Sequence, residues 1–84
     1  MSLEHLKKYY LPKSQEIGLE PNTTWRMKVD GFRPFELVVL VTDFSHESLS
    51  VFYRVIGGTE TERISKIESC YVGIFILSYE RCGQ

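Results

Sequence analysis

The sequence predicts a small, mainly β domain in which a short N-terminal helix precedes a five-stranded antiparallel barrel over residues 24–79. Apolar and polar residues alternate with a period of two over several short stretches. Turn-forming pairs such as Asp30-Gly31 and Gly57-Gly58 separate these stretches. Short strands divided by tight turns are typical of small barrels and sandwiches.

Length and charge indicate one compact domain spanning residues 1–84. Ten basic and eleven acidic side chains leave a net charge of −1, which gives no general attraction to nucleic acid or to an anionic membrane. No signal peptide is visible, and no apolar run approaches the roughly 20 residues of a membrane span. Two cysteines, Cys70 and Cys82, are too few for a disulfide scaffold. We therefore expect a cytoplasmic protein with no membrane partner.

The predicted helix occupies residues 1–12. Leu3, Leu6 and Tyr10 recur at helical spacing, and Ser2 can cap the first turn. Pro12 is expected to end the helix because proline lacks a backbone N–H. A helix this short is marginal alone, so its apolar side must pack on the rest of the domain.

The central hairpin is predicted from two apolar strands, Phe35–Phe44 and Leu49–Val55, on either side of a polar turn. A first strand, Thr24–Val29, precedes them. The longer hairpin strand is apolar on both faces. The face predicted to line the barrel comprises Leu37, Val39 and Val41. The other face, which the helix or a partner must cover, comprises Val38, Leu40 and Phe44.

Three further elements complete the prediction. Thr59–Ile64 is polar and β-branched, as expected of an exposed strand. Ser65–Tyr71 carries a serine and a glutamate at the spacing of a capping box, which predicts one helical turn before the last strand. Val72–Tyr79 is predicted to be that last strand. The tail, residues 80–84, is expected to fray.

One strand opens with Trp25-Arg26, another ends with Tyr53-Arg54, and Ser65 leads toward the last strand. Over about Leu19–Tyr79, this order resembles small uncharacterised SH3-like barrel proteins of prophages. The resemblance implies a five-stranded SH3-like barrel with a one-turn helix before the closing strand. It also implies a non-enzymatic accessory protein without defined site residues. A helix-first, five-stranded Sm-like fold is the alternative, but its Gly- and Asn-rich signatures are not found in the sequence.

Candidate chemistry is sparse. Asp43, Ser45 and His46 are close in sequence, but neighbours within one turn rarely adopt the geometry of a catalytic triad. The potential metal ligands lack the paired spacing of metal sites, and they are His5, His46, Cys70 and Cys82. We therefore predict no catalytic residues, no metal, no cofactor and no small-molecule substrate.

By exclusion, the predicted function is a non-enzymatic protein-binding module whose partner is a host protein or a second copy of the chain. The prophage resemblance extends this to a phage or mobile-element inhibitor or adaptor, acting for example on a defence nuclease. The candidate protein-binding residues are Val38, Leu40, Phe44 and Phe52. The alternative is a nucleic-acid-binding barrel with a basic strand face formed by Arg26, Lys28, Arg33 and Arg54.

Overall fold

A computed structural model describes residues 2–28 and 35–82. The elements in chain order are α1 (Leu3–Glu16), β1 (Thr24–Met27), β2 (Leu37–Ser45), β3 (Ser50–Gly58), a 3₁₀ turn (Thr61–Arg63), β4 (Ile67–Tyr71), α2 (Val72–Ser78) and β5 (Tyr79–Arg81). This confirms an N-terminal helix followed by an antiparallel sheet of five strands with one short C-terminal helix. The predicted turn at Asp30-Gly31 and the candidate residue Arg33 lie outside the described residues.

The sheet has the strand order β4-β3-β2-β1-β5, and every neighbouring pair is antiparallel. The first four strands therefore form a meander, and the chain then returns through α2 to place β5 beside β1. β4 and β5 are the two edges. Within the described residues no backbone ladder joins these edges, so the hydrogen-bonded sheet is open.

One face of the sheet carries the core. Trp25 lies 5.3 Å from Phe75 in an edge-on contact, and Phe75 stacks on Tyr79 at 4.7 Å between ring centroids. Both helices contribute to this face, because residues of α1 pack against the same cluster and α2 supplies two of its members. The core residues are Leu19, Trp25, Leu37, Val39, Val41, Phe44, Leu49, Val51, Tyr53, Val55, Val72, Phe75 and Tyr79.

A bulge changes which side chains of β2 face the core. The register of β2 against β3 shifts after Val41 and leaves Thr42 without a partner. An extra residue reverses the alternation of a strand. Phe44 consequently lies in the core with 8% of its surface exposed, whereas Val38 and Leu40 face the other way. The prediction that Phe44 shares their face is wrong for this reason.

The first helix extends beyond Pro12 to Glu16, so the predicted boundary at residue 12 is wrong. Proline removes one backbone hydrogen bond, but burial beyond it favours continuation. Ser14 is buried and its hydroxyl donates to the Leu11 carbonyl at 2.9 Å. The helix ends one turn later, where Gly18 adopts a φ of 75° that suits glycine after a helix.

The C-terminal third differs most from the prediction. The segment predicted to be the last strand forms α2, and the strand that follows, β5, includes two residues of the predicted frayed tail. Val72 and Phe75 are buried while Ile74 and Leu77 are exposed, a pattern of period three to four. Because these seven residues are apolar on all sides, periodicity alone could not distinguish helix from strand.

The preceding segment is also reassigned. Ile67–Tyr71, predicted to be part of a helical turn, forms strand β4 along β3. The predicted strand Thr59–Ile64 holds only the 3₁₀ turn. The count of five strands is right, although two of them occupy different residues from those predicted.

Candidate protein-binding surface

The side of the sheet opposite the core, here called the outer face, presents large apolar side chains to solvent. Phe52 is 36%, Ile56 44% and Ile67 60% exposed. Their strand neighbours lie on the core side of the sheet, so the exposure follows from the alternation of β3 and β4. The outer face of β2, β3 and β4 comprises Val38, Leu40, Phe52, Arg54, Ile56 and Ile67.

A cation lies in the middle of this apolar surface. Arg54 is directly opposite Leu40 of β2 on one side and Ile67 of β4 on the other. Its guanidinium Nη1 donates to the Ser65 carbonyl at 3.0 Å, which restrains the side chain against the sheet. Phe52 lies two residues away on the same face. The outer face therefore combines an aromatic ring, aliphatic side chains and a restrained positive charge.

The helix α1 does not cover the outer face. Its partly buried apolar side chains, among them Leu6 and Tyr10, pack against the core cluster on the opposite side of the sheet. Tyr10 also makes an edge-on contact with Tyr71 at 5.6 Å. The sequence left open whether the helix covers Val38 and Leu40, and the structure places it elsewhere.

The structure gathers three of the four candidate protein-binding residues, since Val38, Leu40 and Phe52 share the outer face. Phe44 lies in the core instead, where its ring contacts that of His46 at 4.9 Å. Sequence reasoning missed Ile56 and Ile67. Continuing the alternation of β3 beyond Val55 would have identified Ile56, whereas Ile67 was assigned to a helical turn.

The candidate basic residues are placed differently from one another. Arg26 pairs with Val38 in the register of β1 and β2, and its Nη2 lies 3.3 Å from a carboxylate oxygen of Glu80. Lys28 Nζ donates to the Ile76 carbonyl of α2 at 3.2 Å. Arg26 and Arg54 therefore share a side of the sheet, but Lys28 is bound beside α2.

A polar cluster lies on the core side of β3 and β4. Arg63 Nε donates to Glu68 Oε2 at 2.8 Å, and the Tyr53 hydroxyl donates to Glu68 Oε1 at 3.3 Å. The hydrogen bond from Arg63 holds the pKa of the Glu68 carboxyl below its usual value. Burial raises the pKa of Tyr53 well above its usual value and that of the Cys70 thiol to about 11. At neutral pH the phenol and the thiol stay protonated, so this cluster contains no activated nucleophile.

The turn that carries Asp43, Ser45 and His46 uses its polar side chains locally. Asp43 Oδ1 accepts from the Phe44 N–H at 2.9 Å, and Ser45 Oγ accepts from the Ser48 N–H at 3.3 Å. Among the described residues, no group of three or more His, Cys, Asp or Glu side chains could hold a metal ion. No helix in the described ranges is long and apolar enough to cross a membrane.

Comparison with protein-family models, with curated proteins and with solved structures found no match to this chain. The resemblance to prophage SH3-like proteins, and the Sm-like alternative, therefore remain predictions. What supports a function is the chemistry of the outer face itself.

Proposed function

We propose that this protein is a non-enzymatic protein-binding module and that its outer face docks the partner. The observation that carries the proposal is the joint exposure of Phe52, Ile56 and Ile67 around Arg54 on one side of the sheet. Covering exposed apolar surface stabilises a complex by roughly 25 cal/mol per Å² before the costs of association. Aromatic and arginine side chains are also the types that most often dominate interface energetics.

The chemistry of the outer face restricts the partner. Arg54 favours a carboxylate opposite it, and the surrounding aliphatic side chains favour an apolar surface around that acid. A host protein such as a defence nuclease, which the prophage resemblance implies, is the partner class we propose. Such a partner would bury an acidic residue framed by apolar ones against Leu40, Arg54 and Ile67.

The proposal includes the finer fold, a small SH3-like barrel. In the sheet order β3 and β5 are three steps apart, which is about 14 Å in a flat sheet. The rings of Tyr53 on β3 and Tyr79 on β5 are nevertheless only 5.8 Å apart between centroids. This contact supports a strongly curled sheet. The Sm-like alternative is compatible with the same arrangement.

The test is a comparison of partner capture by variants of exposed residues. Phe52→Ser with Ile67→Ser should abolish capture of the specific partner because both anchors of the outer face are lost. Leu77→Ser is the matched control, since Leu77 is 78% exposed but lies on α2. Unchanged thermal melts must accompany the result. Equal capture by all three proteins would contradict the outer face as the docking surface.

One observation favours the nucleic-acid alternative. Phe52, Arg54 and Arg26 lie on the same side of the sheet, which is the combination of aromatic ring and cations that binds single strands. Two observations weaken the nucleic-acid alternative, namely the ion pair of Arg26 with Glu80 and the net charge of −1. Titration of a single-stranded oligonucleotide at two salt concentrations separates the two functions. Salt-sensitive binding that Arg54→Ala removes would replace the first proposal by this one.

A further inference from the structure

The strand β4 is an edge of the sheet, and half of its backbone groups point away from β3. Val72 N donates to the Leu49 carbonyl at 2.8 Å just beyond one end of the pairing, and Val55 N donates to the Lys66 carbonyl at 3.0 Å beyond the other. Hydrogen-bonded pairs alternate along an antiparallel ladder. Glu68 and Cys70 therefore bond to β3.

The intervening residues Ile67, Ser69 and Tyr71 direct their N–H and C=O groups to the open edge. Within the described residues these groups have no strand partner, and only Tyr71 is engaged further, as the N-cap residue of α2. The edge is also unprotected. β4 contains no proline and no bulge, and its one charged side chain, Glu68, is bound to Arg63 on the core side.

We propose that β4 pairs with β4 of a second copy of the chain, antiparallel, with the two-fold axis at Ser69. Ser69 then faces Ser69 of the second copy, and Ile67 faces Tyr71 at each end. Every residue with outward backbone groups meets a residue whose groups also point outward. The two five-stranded sheets become one continuous sheet across the dimer axis.

The hydrogen-bonding pattern selects this register over its neighbours. An axis at Glu68 pairs Ile67 with Ser69 and leaves Tyr71 beyond the strand of the second copy. An axis at Cys70 pairs Ser69 with Tyr71 and places Ile67 opposite Gly73 of α2, where the chain has already left the strand for the helix. Only the axis at Ser69 uses all three outward residues of both copies.

Side chains are compatible with the same register. Glu68 is opposite Cys70 of the second copy, so the two carboxylates do not face each other. Ile67, 60% exposed in one copy, lies opposite Tyr71 of the other, whose ring already packs against Tyr10 of its own chain. The pairing therefore places no like charges directly opposite each other.

Between two copies of the chain, pairing of β4 with β4 is more favourable than pairing of β4 with β5. β5 has three residues, and its pairing with β1 leaves only Tyr79 and Arg81 directed outward. Head-to-tail pairing of β4 with β5 would also generate rings or filaments rather than a closed dimer. This inference goes beyond the proposed function, because it depends on the backbone of one edge and not on the side chains of the outer face.

Charge variants at the axis test the proposal. Ser69→Lys and Ser69→Glu each place two like charges opposite each other in the dimer, whereas a mixture of the two variants pairs a lysine with a glutamate. Ser69 is exposed, so neither variant should unfold the domain. Sedimentation should show a concentration-dependent dimer for the parent, a dissociation constant raised about two- to fivefold for each variant, and recovery in the mixture.

Amide hydrogen exchange provides a second readout with a control inside the same strand. The Ile67 and Ser69 amides should exchange more slowly as the protein concentration rises, while the Glu68 and Cys70 amides, already bonded to β3, stay unchanged. A parent that remains monomeric to millimolar concentration would overturn the inference. So would variants that dimerise like the parent, a mixture without recovery, or assemblies larger than a dimer.

Discussion

Both faces of β3 carry large apolar side chains, but only one face is buried. Val51, Tyr53 and Val55 are at most 5% exposed, whereas Phe52 and Ile56, between and beyond them, face solvent. Composition does not separate the two sets. The difference arises because both helices pack on one side of the sheet, so an apolar strand face is a core only where another element covers it.

The largest difference in the free energy of unfolding should be seen between variants of two adjacent residues of β2. Val39→Asp buries an unpaired charge in the core and should cost about 4 kcal/mol or more of the free energy of unfolding. Leu40→Asp, on the outer face, should cost only about 1–2 kcal/mol. Urea unfolding measures both. If Val39→Asp does not fold, Val39→Ala and Leu40→Ala provide a milder pair. Equal losses of the free energy of unfolding in both variants would contradict the assignment of one face to the core and the other to solvent.

A similar pair on α2 tests whether that helix completes the core. Phe75 is fully buried among aromatic rings, so Phe75→Ala should lower the free energy of unfolding by about 3–4 kcal/mol. Ile74, the neighbouring residue, is exposed, so Ile74→Ala should lower the free energy of unfolding by at most about 0.5 kcal/mol. Thermal melts of the two variants give the comparison. Similar melting temperatures would show that α2 does not cover the sheet.

The ion pair on the core side should make stability sensitive to acid. The pKa of Glu68 is lower in the folded protein than in the unfolded chain, so its contribution is present above the unfolded pKa. That contribution is lost as the pH falls through the folded pKa. Glu68→Gln should remove about 1–2 kcal/mol near neutral pH and less under acid conditions. A parent and variant that differ equally at pH 7 and pH 3 would contradict this linkage.

The smallest expected effect concerns alkaline pH. The pKa of Cys70 is raised to about 11 by burial, so above its usual value the unfolded chain loses the proton more readily than the folded protein. Stability should therefore decline as the pH rises toward 11. Cys70→Ala should reduce this decline by about 1 kcal/mol at pH 10 relative to the parent. Cys82→Ala is the matched control, and an identical decline in both variants would count against the assignment.

Local pattern predicted the first helix, the central hairpin and the inward side chains Leu37, Val39 and Val41, because those segments have one dominant periodicity. Three of the four residues proposed for protein binding were placed on one face for the same reason. The bulge after Val41 has no signal in an alternating pattern, so the position of Phe44 was missed. The continuation of α1 beyond Pro12 depends on burial of Ser14, which is a tertiary effect.

The secondary structure of the C-terminal segments was predicted wrongly because it depends on how the strands are connected in the sheet. Val72–Ser78 has enough apolar residues for a strand, yet it must span from one edge of the sheet to the other. A helix makes that connection while it buries Phe75. Ile67–Tyr71 then pairs with β3, where an isolated capping signal had indicated a helical turn.

The passage from β4 through α2 to β5 contains no loop residues, since each element begins where the previous one ends. The seven residues of α2 form a helix about 10 Å long. One inserted residue would lengthen α2 by about 1.5 Å and rotate β5 about the helix axis by about 100°. Tyr79 would then leave the core, so the length of α2 is more tightly constrained than the identity of its exposed side chains.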